Sequence, residues 1–167
     1  MAGQTLAAAA VERLRVLVTV VVRKAEAQDL DALLHLFCEL AEDRSAAAPA
    51  DRGDGAPILD EILADPAREL VVATIDGAVV GSADLLLVPN LTHHGKPWAI
   101  VENVIVTTSA RRCGVGRALM EHLVGMARDA GCYKLQLHSG KQRTQAHPFY
   151  RSLGLEAVAE GFKIYFE

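Results

Sequence analysis

The stretch Val101–Leu119, VENVIVTTSARRCGVGRAL, constrains this chain more than any other. Val101, Val104, Ile105 and Val106 supply the β-branched run of a strand. Thr107–Ala110 reads as a turn, and Arg111, Arg112, Gly114, Gly116 and Arg117 then surround the start of a helix. Glycine has no Cβ, so the backbone there can come close to a ligand. The first N–H groups of a helix have no partner inside it and point outward at the positive end of its dipole. A strand that ends in such a loop is built to hold a phosphate or pyrophosphate, and the arginines add positive charge.

Two well-known phosphate loops are excluded. The dinucleotide fingerprint needs a third glycine where Leu119 stands. A P-loop ends in Gly-Lys-Ser/Thr, and Gly140-Lys141-Gln142 lacks both the hydroxyl and the upstream glycine.

The rest of the chain alternates as an α/β domain does. Leu30, Leu33, Leu34, Phe37, Leu40 and Ala41 recur at helical spacing, which predicts a helix over Asp29–Asp43. Ser45–Gly55, rich in Ala, Pro, Gly and Asp, reads as a mobile loop, followed by a short helix at Ile58–Leu63. Thr19–Arg23 reads as the first strand. Leu70–Ile75 and Val79–Val88 read as strands joined by the hairpin signal Asp76-Gly77. Ala99–Val106 is the next strand, and Val115–Ala130 a helix ended by Gly131. Strand Tyr133–His138, helix Arg143–Leu153 and strand Phe162–Phe166 complete the pattern. Adjacent strands followed by a βαβ unit imply a mixed sheet with helices on both faces.

Residues 19–167 therefore read as one domain, preceded by an extension over residues 1–18 in which Leu6–Leu14 is a short helix or a loose segment. Leu6–Val22 is apolar but broken by Glu12, Arg13 and Arg15, so no membrane span is expected. It also lacks the basic start and cleavage site of a good signal peptide. The net charge of −4 argues against nonspecific nucleic-acid binding. The cysteines, Cys38, Cys113 and Cys132, are odd in number and show no CxxC spacing, which points to a reducing, cytoplasmic setting and no metal site.

Arg111-x-x-Gly114-x-Gly116 after a strand resembles the acyl-CoA pyrophosphate loop of the GNAT superfamily of N-acetyltransferases. Ala146-His147-Pro148-Phe149-Tyr150-Arg151-Ser152-Leu153-Gly154-Leu155 is similar to the C-terminal Ala-x-x-Phe-Tyr-x-x-x-Gly-Phe signature of that family. The resemblance runs from about Val20 to the end of the chain. It implies a mostly antiparallel mixed sheet whose fourth and fifth strands splay apart, with the pantetheine of acetyl-CoA in the gap. Backbone groups of Val104, Ile105 and Val106 would then pair with the pantetheine, as an added strand pairs with a sheet edge. The loop residues Arg111, Arg112, Cys113, Gly114, Val115, Gly116, Arg117 and Ala118 would hold the pyrophosphate. Many members carry Asn seven residues before the tyrosine. Here that position is Arg143, within the basic segment Ser139–Arg143, which reads either as a solvated loop or as a site for cofactor phosphate or an anionic substrate. Gly131-Cys132-Tyr133-Lys134 and Val101-Glu102-Asn103-Val104 also resemble the glucosamine-6-phosphate N-acetyltransferase branch, which usually has Asp where Asn103 stands.

Acetyl transfer to an amine needs a neutral nucleophile, an oriented thioester and a proton for the departing thiolate. Glu102, in an apolar strand beside the implied acyl site, is the candidate base, acting directly or through water, with a solvent-facing structural role as the alternative. Asn103 either orients substrate or occupies a bulge. The resemblance makes Tyr150 the candidate acid, since the tyrosine of the family's Phe-Tyr pair reaches the cofactor sulfur, and a phenol with a reference pKa of about 10 still carries its proton at neutral pH; the alternative is a tyrosine packed in the core with its hydroxyl satisfied. His93 and His94 fall in a loop without a convincing third ligand, and His35 and His122 fall on helices. His147 either caps a turn or approaches the site, and His138 ends the fifth strand near the cleft. Cys113 lacks a general-base partner and reads as a small loop residue. The acceptor implied is a small-molecule amine, with no nucleic-acid or membrane partner. Because family members often dimerise, a homodimer is an expectation that no sequence feature localises. The competing function is a catalytically idle acyl-CoA-binding module on the same fold.

Overall fold

The computed structural model describes residues 19–44 and 48–166. The N-terminal extension, with its expected helix at Leu6–Leu14, lies outside them. The elements in chain order are β1 (Val20–Lys24), α1 (Leu30–Arg44), α2 (Arg52–Ala64), β2 (Arg68–Ile75), β3 (Ala78–Val88), β4 (Trp98–Val106), α3 (Val115–Asp129), β5 (Leu135–Leu137) and α4 (Ala146–Ser152). The strands form one sheet in the order β1-β2-β3-β4-β5. β1 to β4 are antiparallel neighbours, and β5 joins β4 in parallel.

The β2–β3 hairpin turns on Asp76 and Gly77, with φ of 50° and 82°. Two left-handed residues match the right-handed twist of the flanking strands, which is why Asp-Gly marks this turn in the sequence.

The sheet sorts its side chains by alternation. On one face Val71, Ala73, Ala83, Leu85, Ala99 and Val101 pack with Val115, Leu119, Met120, Leu123 and Ala127 of α3. Phe149, Tyr150 and Leu153 extend that layer. On the other face Leu70 and Val72 pack with Leu30 and Leu33 of α1 and Leu59 of α2, while Ile105 packs with Leu36 and Leu40 of α1. Gly81 makes the first packing possible: a Cβ there would stand 2.9 Å from the Ile105 carbonyl and 3.0 Å from Val115.

Two expectations are corrected. The loop assigned to Ser45–Gly55 ends early, because α2 begins at Arg52. Asp51 caps it by accepting a hydrogen bond from the Asp54 N–H at 3.0 Å. Gly55, which suggests a loop in sequence, is instead buried in α2 against Leu30 and Leu34 of α1. The second correction is larger. Phe162–Phe166 forms no strand, and Phe162, Ile164, Tyr165 and Phe166 are 76–90% exposed. β5 is consequently the outer strand of the sheet.

Candidate active site

β4 contains the local feature that shapes the site. Asn103 adopts a φ of 52°, and the β3–β4 register slips there, from Asp84 opposite Glu102 to Ser82 opposite Ile105. The extra residue is a β-bulge. It puts Glu102 and Ile105 on the α1/α2 face and sends Val104 and Val106 to the α3/α4 face. Of the two roles open to Asn103, the structure shows the bulge.

β4 and β5 pair at Ala99–Leu135, Ile100–Gln136 and Val101–Leu137, and at no further position among the described residues. Glu102 is the first residue of β4 past the last pair. Its carboxylate faces His138 Nδ1 at 3.8 Å, and both side chains are partly exposed. Val104, Ile105 and Val106 follow it along the same stretch of β4. The Ser139 hydroxyl, next to His138, is buried without a hydrogen-bond partner in the protein. A buried hydroxyl of this kind takes a polar partner, a water or a bound molecule.

Beyond Val106 the chain enters a 3₁₀ turn at Thr108–Ala110, then Arg111 donates from Nε to the Val106 carbonyl at 3.1 Å. Arg112 and Gly114 have φ of 66° and 85°, and Gly114 is the N-cap of α3. The first intrahelical bond there is Ala118 N–H to the Gly114 carbonyl. The N–H groups of Val115, Gly116 and Arg117 therefore precede the ladder and are available to an anion. Arg111, Arg112, Cys113 and Gly114 are exposed around them. Arg117 turns away, donating to Ser152 Oγ at 3.1 Å and approaching Glu121 at 3.4 Å. Gly116 has a reason to be small besides a ligand: a Cβ there would stand 3.3 Å from the Phe149 ring.

Tyr150 lies in α4, on the α3 side of the sheet, with its ring 5.2 Å from that of Phe149. Glu102 and Tyr150 are thus on opposite faces. Arg143 precedes α4, its N–H bonded to the Gly140 carbonyl, and His147 Nε2 lies 3.1 Å from that same carbonyl. His147 therefore braces the basic turn. His93 stacks on Tyr133 at 3.8 Å between ring centres, which gives it a packing role.

The sequence reading missed three groups. Asp84, 1% exposed, lies directly across from Glu102 and is held by Arg68, whose Nε is 3.0 and 3.1 Å from the two carboxylate oxygens. That carboxylate raises the Arg68 guanidinium further above its ordinary value. A charged residue inside AVVGSADLLLV was the available signal. Arg68 also borders a cleft of about 440 Å³ with Ile58, Glu61, Ile62, Ala64 and Asp65. The third is Glu39 of α1. It accepts from the Thr107 hydroxyl at 2.6 Å, and from the Thr108 N–H and hydroxyl at 3.0 and 3.2 Å. Burial opposes its charge, but those hydrogen bonds outweigh burial and hold the carboxyl below its usual range. No local pattern in the sequence marks Glu39.

Comparison with known proteins fits this geometry. The family described as acetyltransferase (GNAT) matches residues 30–155. The chain is 40% identical over 81 residues to the glucosamine 6-phosphate N-acetyltransferase of Trypanosoma brucei brucei, covering 48% of this chain and 53% of that one, about half its length. It is 32% identical over 109 residues to the aminoglycoside N(6')-acetyltransferase type 1 of Stenotrophomonas maltophilia, covering 64% of this chain and 71% of the relative. A putative acetyltransferase from Agrobacterium tumefaciens superposes with a TM-score of 0.80 at 36% identity, covering 87% of this chain and 99% of that structure.

Proposed function

The chain belongs to the acetyltransferase (GNAT) family, and from that premise we propose that it moves an acetyl group from acetyl-CoA to a primary amine of a small molecule. One observation carries the reading. Glu102 stands at the opening past the last β4–β5 pair, and Tyr150 lies on the opposite face of the sheet. A thioester threaded through that opening would meet an amine on the Glu102 side and leave its sulfur on the Tyr150 side.

The residues fit such a substrate. Val115, Gly116 and Arg117 offer N–H groups to the pyrophosphate, with Arg111 and Arg112 beside them, and Arg143 on the turn before α4 is a further cation for cofactor phosphate. Val104, Ile105 and Val106 offer a strand edge to the pantetheine amides, and Ser139 Oγ still needs a partner. Acetyl-CoA supplies the activated acyl carbon. Glu102, directly or through water, takes a proton from the ammonium so that the amine lone pair can form the new C–N bond. Tyr150 donates its phenolic proton to the sulfur as the C–S bond breaks. His138, close to Glu102, is placed to share that proton.

Relatives named for glucosamine 6-phosphate and for aminoglycosides support a small, amine-bearing acceptor. The test is turnover of acetyl-CoA against a panel of amino sugars, aminoglycosides and simple amines, followed by free thiol release. Amine-dependent thiol release with an N-acetyl product is the expected result. Tight acetyl-CoA binding with no release across the panel, or acetylation of protein lysines alone, overturns the reading.

A further inference from the structure

The loop between β4 and α3 is held at its root by a carboxylate from the opposite face of the sheet. Thr107 leaves β4 with its N–H bonded to the Val80 carbonyl at 2.9 Å. Glu39 of α1 then grips the next turn with both oxygens. Oε1 accepts from the Thr107 hydroxyl at 2.6 Å, while Oε2 accepts from the Thr108 N–H at 3.0 Å and from its hydroxyl at 3.2 Å. Leu36 and Leu40 of the same helix pack with Ile105, so the element that carries the carboxylate is itself fixed to β4. From Thr107 onward the turn is chained to the loop by backbone hydrogen bonds. The Ala110 N–H bonds to the Thr107 carbonyl at 3.0 Å, the Arg111 N–H to the Thr108 carbonyl at 3.4 Å, and the Cys113 N–H to the Ala110 carbonyl at 3.4 Å. Gly114, the N-cap of α3, follows directly. Arg111, Arg112, Cys113 and Gly114 are exposed, so core packing does little to fix them.

We infer that Glu39 is a positioning residue for the cofactor loop: by holding Thr107 and Thr108 it sets where the N–H groups of Val115, Gly116 and Arg117 stand, and so how tightly the pyrophosphate of acetyl-CoA is bound. This rests on the acetyl-CoA reading of that loop. Donors already in place when an anion arrives need no further ordering, and the ordering they avoid would otherwise weaken binding. Glu39 touches no anion itself and acts through the turn. The hydrogen-bond pattern also accounts for a carboxylate at this position. Both of its oxygens are acceptors here, whereas a glutamine has one acceptor oxygen, and its NH₂ would be turned toward the donors of Thr107 or Thr108. Glu39→Gln therefore loosens one side of the grip while keeping the side chain's length and shape.

Titration calorimetry of the full chain with acetyl-CoA, and NMR titration with acetyl-pantetheine, which carries no pyrophosphate, test this. Glu39→Gln should raise the Kd of acetyl-CoA about tenfold, the scale of one lost hydrogen bond, and should raise that of acetyl-pantetheine far less. Thr107→Val removes the other end of the same link and should also weaken acetyl-CoA binding. The double variant should lose less than the two single losses multiplied together, because both remove one interaction. Equal acetyl-CoA affinity in wild type, Glu39→Gln and Thr107→Val overturns the inference and leaves the acetyl-CoA reading in place. So does an equal loss for both ligands, which would make Glu39 a general support of the fold. A wild-type chain that binds no acetyl-CoA overturns the reading itself, and the inference with it.

Discussion

At the scale of single residues, Glu102 and Tyr150 carry separable halves of the proposed chemistry. Glu102→Gln keeps the side chain's shape and removes its capacity as a base. Steady-state kinetics should show a fall in kcat of about 10²–10⁴-fold, the usual contribution of a positioned acid or base, with acetyl-CoA affinity little changed. Wild-type kcat in the folded variant would assign Glu102 to structure. Tyr150→Phe keeps the ring against Phe149 and removes the hydroxyl. A thiol with a reference pKa of about 8.5 leaves fairly well unaided, so the loss should lie toward the lower end of about 10²–10⁴-fold and appear mainly in kcat. If chemistry is rate-limiting and kcat does not move, water or substrate protonates the sulfur. Both candidates come from the sequence, one inside an apolar strand and one inside a Phe-Tyr signature. Their placement on opposite faces does not, because it depends on the bulge at Asn103 and on which layer α4 joins.

At the scale of elements, the sequence marks the strand, loop and helix of the candidate anion site well, since each is specified by neighbours along the chain. What sets their spacing is contact between elements. Gly116 lies under Phe149 at the meeting of α3 and α4. Gly116→Trp should therefore abolish measurable acetyl-CoA binding in calorimetry and also displace α4, seen as a lower melting temperature. Binding at wild-type affinity would remove the loop from the cofactor site. Between β2 and β3, Arg68 neutralises a carboxylate that is buried beside Glu102. Arg68→Met should destabilise the fold by about 3 kcal/mol in denaturant titration, because the Asp84 charge is left unpaired. The double variant Arg68→Met, Asp84→Leu should recover much of that loss, and no recovery would mean that the loss does not come from an unpaired Asp84 charge.

At the scale of the whole molecule, Glu39 joins α1 to the end of β4, across 68 residues of sequence from Thr107. Its carboxyl is held below the usual range in the folded chain by Thr107 and Thr108. The stability it contributes is therefore complete above the unfolded-state value, about 4.3 for Glu, and is lost as pH falls through the lower folded value. Glu39→Gln should be less stable than wild type at neutral pH and should converge with it in acid, by thermal melts across pH. A constant difference at every pH would show that the carboxylate charge plays no part. The sequence by itself determined what is local: the hairpin at Asp76-Gly77, the amphipathic faces of α1 and α3, the glycine loop at a helix start, and the family signatures. Backbone preference and periodicity act over a few residues, so these can be read without a fold. Only the tertiary structure decided the rest: the α2 start, the bulge at Asn103, the Arg68–Asp84 pair, the Glu39 tie and the exposed tail. Each of these depends on which distant segments meet in space, and side-chain type alone does not specify a partner.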